Sequence, residues 1–137
     1  IAETGHLVLG TLHTNNASGT INRLVNAFPP DKQSIIRTTL SLNLLGIISQ
    51  QLIPNENKSR SLALEVLINT SSIKSLIREN NIHQIDSYIL SGQKDGMIRM
   101  DDSILKLYND KLISKEEALN YAINISELSK KLNSLNI

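Results

Sequence analysis

The chain alternates short apolar runs with amphipathic stretches, a pattern typical of an α/β protein. Residues 6–11 form a continuous apolar run bounded by polar residues, which predicts a strand buried on both faces of a parallel sheet. The segment "HTNNASG" then leads into an amphipathic helix. The apolar residues of this helix recur at helical spacing: Ile21, Leu24, Val25 and Phe28.

A second helix and a hairpin follow. The prolines at positions 29 and 30 end the first helix, because a proline ring disfavours the α conformation of the residue before it. The next helix begins near Pro30 and closes at Gly46. Residues 47–53 and 62–68 then read as two strands joined by the turn formers and charges of "PNENKSR". We therefore predict an antiparallel hairpin.

Beyond residue 69 the pattern is helical. In "SIKSLIREN", residues 72–80, the apolar side chains form one helical stripe and the charged side chains another. The segment "SKEE", from Ser114 to Glu117, is a capping box that begins a later helix. The sequence thus predicts an α/β part over residues 1–69 and a helical bundle over residues 70–137.

Composition excludes several classes of protein. A chain of 137 residues with 40% hydrophobic residues can bury a core. A net charge of +1 and 3% aromatic residues disfavour nucleic-acid binding. The absence of cysteine excludes disulfides and thiolate zinc sites and fits a reducing compartment. The most apolar stretch, "LSLNLLGII", is far shorter than the ~20 residues of a membrane span.

The histidines at positions 6 and 13 flank the predicted strand. Their odd separation places them on opposite faces of one strand, so we expect no shared metal. His13 lies at the carboxyl end of the strand, before a helix start whose unpaired amides favour a phosphate. Thr11, His13 and Thr14 therefore form a candidate polar cluster for an anionic substrate. In the alternative interpretation, His13 and Thr14 only cap the helix or satisfy amides of the loop.

The same residues carry a family resemblance. The segment "AETGHLVLGTLHTNN" closely resembles the His box of the secretion-type ATPases of type IV pili and type II secretion. The segment "SIKSLIREN" is similar to the "AIRNLIRE" motif of the twitching-motility retraction branch of that family, and the similarity extends to about Ala122. Assembly and secretion ATPases of the superfamily usually carry a four-cysteine zinc module. The absence of cysteine therefore favours the retraction branch.

The resemblance implies an architecture and a function. Residues 1–69 would be part of a RecA-like ATPase core, and residues 70–137 its C-terminal helical subdomain. The parent protein would be a cytoplasmic homo-hexamer at the inner membrane that hydrolyses ATP with Mg²⁺ and acts on the platform protein at the pilus base to retract the fibre. His6, Thr11 and His13 would sense nucleotide, and His13 and Thr14 would be catalytic. The motif implied to couple hydrolysis to retraction consists of Ser72, Ile73, Lys74, Ser75, Leu76, Ile77, Arg78 and Glu79.

The chain also departs from the family pattern. Ser72, Lys74 and Ser75 stand where the motif has Ala, Arg and Asn, and a lysine lacks the planar fork of arginine. The sequence contains no GxxxxGKT/S and no Walker B strand. We expect these elements, with the Mg²⁺ ligands, to lie upstream of Ile1 in a longer protein, and the chain alone to be inactive. Two alternatives stay open: a related pilus-assembly or type II secretion ATPase, or a non-catalytic helical interaction module.

Overall fold

The computed structural model describes residues 2–134, which form seven α-helices, three short 3-10 helices and a two-stranded sheet. The helices and strands, in chain order, are α1 (Ala17–Asn26), α2 (Gln33–Asn43), β1 (Gly46–Pro54), β2 (Arg60–Ile68), α3 (Ser71–Arg78), α4 (Ile85–Ser91), α5 (Met100–Asn109), α6 (Lys115–Tyr121) and α7 (Ile125–Ser134). The 3-10 helices are Ala2–Thr4, Ile82–Gln84 and Gly92–Asp95. This mixed fold, with a hairpin followed by helices, confirms the predicted class.

The hairpin pairs β1 with β2 in antiparallel register, with Gly46 opposite Ile68 and Pro54 opposite Arg60. Strict alternation along both strands buries one face of the sheet. The buried residues of β2 are Ser61, Ala63, Glu65 and Leu67. The predicted hairpin is confirmed, with both strands somewhat longer than the pattern indicated.

Two hydrophobic cores lie against this hairpin. The first contains Ile47 and Leu67 together with apolar residues of α1, α3 and α4. The second contains Ile53 and Ala63 together with apolar residues of α5, α6 and α7. The helices after residue 69 thus pack on both ends of the same hairpin, and α3 shares a core with α1. The division into residues 1–69 and 70–137 stays a prediction.

The prediction of a buried strand is wrong for residues 6–11, which form no strand and are exposed. Leu7, Val8 and Leu9 are 74%, 54% and 89% exposed. A buried strand needs hydrogen-bonding neighbours on its edges, and within residues 2–134 the sheet consists of β1 and β2, which pair with each other. In the described part of the chain, residues 6–11 therefore have no neighbouring strand with which to pair.

Local signals place the ends of several helices. Gly5, directly after the 3-10 helix Ala2–Thr4, adopts a φ of +85°, a left-handed conformation that glycine adopts without strain. Helix α1 ends before the two prolines, which leaves Phe28 beyond the helix and 44% exposed. The Ser114 side chain accepts from the amide of Glu117 at 3.1 Å, as the capping box predicts. Within residues 2–134 no helix combines the length and apolarity that crossing a bilayer requires.

Candidate functional site

Residues 6–16, here called the His-box loop, run from the first turn of the chain to the start of α1. His6 is exposed, and its Nδ1 lies 3.0 Å from the Thr4 hydroxyl. Thr11 and His13 are also exposed. Across residues 2–134 no group of three His, Cys, Asp or Glu side chains is arranged to hold a metal ion. The loop thus presents its imidazoles on an open surface.

Helix α1 holds the end of this loop in place. The Arg23 guanidinium donates to the carbonyl oxygen of His13 at 3.3 Å. The Thr14 hydroxyl lies 2.6 Å from the hydroxyl of the buried Thr20. Because Thr20 donates its own proton to the carbonyl of Asn16 at 2.9 Å, Thr14 supplies the proton between the two threonines. The backbone of His13 is therefore anchored while its imidazole stays exposed.

The start of α1 is already occupied by side chains of the protein. The Asn16 side chain accepts from the amide of Gly19 at 2.8 Å, and Glu65 Oε1 accepts from the amide of Ala17 at 2.6 Å. The expectation of unpaired amides that favour a phosphate is therefore wrong for these two positions. Asn16 caps the helix, so the part of the alternative that makes His13 and Thr14 the caps is wrong. The amides of Ala17 and Gly19 are therefore not free to bind an anion.

Glu65 is a buried carboxylate that the sequence analysis missed. It is 3% exposed, and it accepts from the amide of Ala17 and, at 3.4 Å, from the amide of Met100. Burial raises the pKa of Glu65, and the two backbone amides oppose part of that effect. A signal was present, since strand alternation places Glu65 on the same face as Ala63 and Leu67.

Helix α3 carries the residues of the predicted retraction motif. Ile73, Leu76 and Ile77 are buried in the first core, as the apolar stripe predicts. Among the other residues of the motif, Lys74 and Ser75 are half-buried. Ser72 at its start and Arg78 and Glu79 at its end are exposed. Arg78 Nη2 donates to the Ser75 hydroxyl at 3.2 Å. The polar face of α3 is therefore accessible.

A network of charges, also missed from the sequence, joins α4, α5 and α7. The buried Arg99 guanidinium lies 2.7 Å from Glu127, 3.4 Å from Asp102 and 3.7 Å from Asp86. Lys131 lies 3.1 Å from both Asp102 and Glu127. The hydrogen bond from Arg99 lowers the pKa of Glu127, whereas burial raises the pKa of Asp86. This network holds the helical part together and lies outside the His-box loop.

Comparison with known proteins assigns the chain to a family. The family described as type II/IV secretion system protein matches residues 1–111. The chain belongs to this family. A twitching motility protein of Neisseria gonorrhoeae is 42% identical over 129 residues, which cover 93% of this chain and 34% of that protein. The type IV pilus retraction ATPase PilT of Pseudomonas aeruginosa is 44% identical over 117 residues, covering 85% of this chain and 34% of that protein.

A solved structure supports the same family assignment. The crystal structure of the pilus retraction motor PilT with bound ADP matches 91% of this chain with a TM-score of 0.79 and 42% identity. The match covers 35% of the PilT chain. This chain therefore spans about a third of the length of the relatives it matches.

Proposed function

We propose that the chain is the C-terminal part of a hexameric P-loop ATPase that powers type IV pilus retraction and thereby twitching motility. One observation carries this proposal: relatives named for twitching motility and pilus retraction match 93% and 85% of the chain at 42% and 44% identity. The fold supports it, because the PilT structure matches 91% of the chain.

The proposed nucleotide is ATP with Mg²⁺, bound mainly by residues outside these 137. Within the chain, the amides of Ala17 and Gly19 at the start of α1 are paired, and we assign contact with the γ-phosphate to the exposed imidazole of His13 and the exposed hydroxyl of Thr11. Thr14 donates to Thr20 and would contribute to catalysis by holding the loop. His6 would order the start of the loop through its bond to Thr4. One preorganised donor to developing charge is worth roughly 10² to 10³ in rate.

The proposed partners are five further copies of the parent protein and the platform protein of the pilus machinery, reached from the cytoplasmic side of the inner membrane. Arg78 and Glu79 are exposed and Lys74 is half-buried on one side of α3, while the opposite side packs into the first core. A helix anchored on one side and charged on the other is suited to transmit movement of the domain to a partner. This face therefore supports a coupling role for the motif.

The His13→Ala variant of the full-length protein tests the role of the His-box loop. We expect kcat to fall by roughly 10² to 10³, with a smaller change in the Kd of nucleotide, because a charge-stabilising group acts mainly in the transition state. His83→Ala is the matched control, since His83 is an exposed histidine in the 3-10 helix Ile82–Gln84. Equal turnover of the His13 and His83 variants would make His13 an ordinary surface residue.

A gene deletion separates the retraction function from its alternatives. Cells that lose twitching but keep their pili would support a retraction ATPase. Cells that lose the pili themselves, or lose protein secretion, would instead indicate a pilus-assembly or type II secretion ATPase. A purified full-length protein that hydrolyses no ATP would favour the non-catalytic interaction module.

A further inference from the structure

Glu65 joins two helices that lie far apart in the sequence. Its Oε1 accepts from the first amide of α1, that of Ala17, at 2.6 Å. Its Oε2 accepts from the first amide of α5, that of Met100, at 3.4 Å. Each carboxylate oxygen thus serves the positive end of a different helix, where negative charge is favourable. The start of α1 and the start of α5 are held on one side chain.

The start of α1 is also the end of the His-box loop. Ala17 directly follows Asn16, the cap of the helix, and the carbonyl of His13 is held by Arg23 of the same helix. A shift of the first turn of α1 therefore displaces His13 with it. A contact that fixes the first turn of α1 relative to the rest of the protein therefore also fixes the His-box loop.

The position suits a carboxylate, whose two oxygens both accept hydrogen bonds. Glu65 is 3% exposed, and a buried charge costs free energy that a neutral side chain would avoid. A glutamine of the same shape offers one acceptor oxygen, and its amide nitrogen cannot accept from a backbone N–H. Because Oε1 and Oε2 each accept from a different helix, replacing either oxygen by an NH2 group leaves one of the two amides facing a donor.

We propose that Glu65 is a positioning residue for the His-box loop, which it ties through the first turn of α1 to helix α5 and the second core. The proposal rests on the function proposed above for His13. In this arrangement, movement of the loop with nucleotide state is passed to α5, α6 and α7 through one carboxylate. Glu65 itself touches no substrate.

Asp101 provides a matched control. It is 5% exposed and also accepts from two backbone amides, those of Ile123 at 2.7 Å and Asn124 at 2.8 Å. Both amides lie just before α7, so Asp101 acts within the helical part of the chain. Glu65→Gln and Asp101→Asn therefore remove equivalent charges and equivalent acceptors, but only the first touches α1.

The test measures steady-state ATP hydrolysis and backbone hydrogen exchange in the full-length protein. We expect Glu65→Gln to lower kcat by about tenfold or more, equivalent to about 1.4 kcal/mol, with the Kd of nucleotide nearly unchanged. It should also speed the exchange of amides in residues 11–17. Asp101→Asn should lower the thermal midpoint but leave kcat within about twofold and exchange in the loop unchanged.

A second variant covers the case in which Glu65→Gln fails to fold. Ala17→Pro deletes the amide that Glu65 binds, at a first helical position where proline is favoured. Asn16 has φ −152° and ψ 165°, the extended conformation that a residue before proline prefers. We expect the same loss of kcat from this variant.

The outcomes distinguish this inference from the function on which it rests. Equal losses of kcat from the Glu65 and Asp101 variants, or unchanged exchange in residues 11–17 of the Glu65 variant, would overturn the positioning role. A wild-type protein that hydrolyses no ATP would instead refute the proposed function, and the exchange measurement would still decide whether Glu65 holds the loop.

Discussion

The Leu76→Ala substitution tests whether α3 is held by its apolar face. Leu76 is 6% exposed and lies in the first core with Ile73 and Ile77. The substitution removes an isopropyl group, a loss of about 2.4 kcal/mol at about 0.8 kcal/mol per methylene, and the remaining cavity adds to it. We expect the free energy of unfolding to fall by about 2 to 5 kcal/mol.

Arg78→Ala is the control on the opposite face of the same helix. Arg78 is exposed, and its guanidinium bonds to Ser75 one turn earlier. We expect the free energy of unfolding to change by no more than ~0.5 kcal/mol, as is usual for surface positions.

Urea unfolding followed by far-UV circular dichroism compares the two variants with the wild-type chain. For a slope of about 1 to 3 kcal/mol per molar urea, the Leu76 variant should lower the midpoint by about 0.7 M or more. The Arg78 variant should unfold close to the wild type. If Leu76→Ala is no more destabilising than Arg78→Ala, the stripe does not anchor α3, and the separation of a packing face from a functional face is refuted.

Four further predictions follow from the sequence and the structure. Calorimetric titration of the chain alone should detect no binding of Mg-ATP tighter than about millimolar, and micromolar affinity would contradict this. In the full-length protein, Arg78→Ala should retain ATP hydrolysis yet impair twitching, whereas normal twitching would make this face solvated surface only. Burial raises the pKa of Glu65 above its ordinary 4.5, so its contribution to stability is fully present below pH 4.5 and is lost as the pH rises through the folded pKa. Unfolding free energies measured across that range should fall less steeply in Glu65→Gln, and an identical slope would refute the assignment. Ser114→Ala removes the cap of α6 and should cost about 1 kcal/mol in thermal unfolding, which an unchanged midpoint would contradict.

The sequence by itself determined the elements whose signals are local. Two strand-like runs on either side of "PNENKSR" predicted the hairpin, because a short segment of turn formers between two such runs favours antiparallel pairing. Apolar spacing predicted the buried stripe of α3, and the Ser114 to Glu117 spacing predicted the start of α6. The His-box and motif segments pointed to the family, which the match over residues 1–111 confirmed.

Only the tertiary structure decided what depends on distant residues. The run at residues 6–11 has the composition of a buried strand but no sheet neighbour among the described residues, and composition cannot reveal which neighbours are present. The first amide of α1 and the first amide of α5 carry a partner because Glu65, 48 positions from Ala17 and 35 from Met100, accepts from both. Arg99 meets Glu127 across 28 positions in the same way. Patterns over a few turns report the face on which a side chain lies, whereas its partner across the core is set by packing of the whole chain.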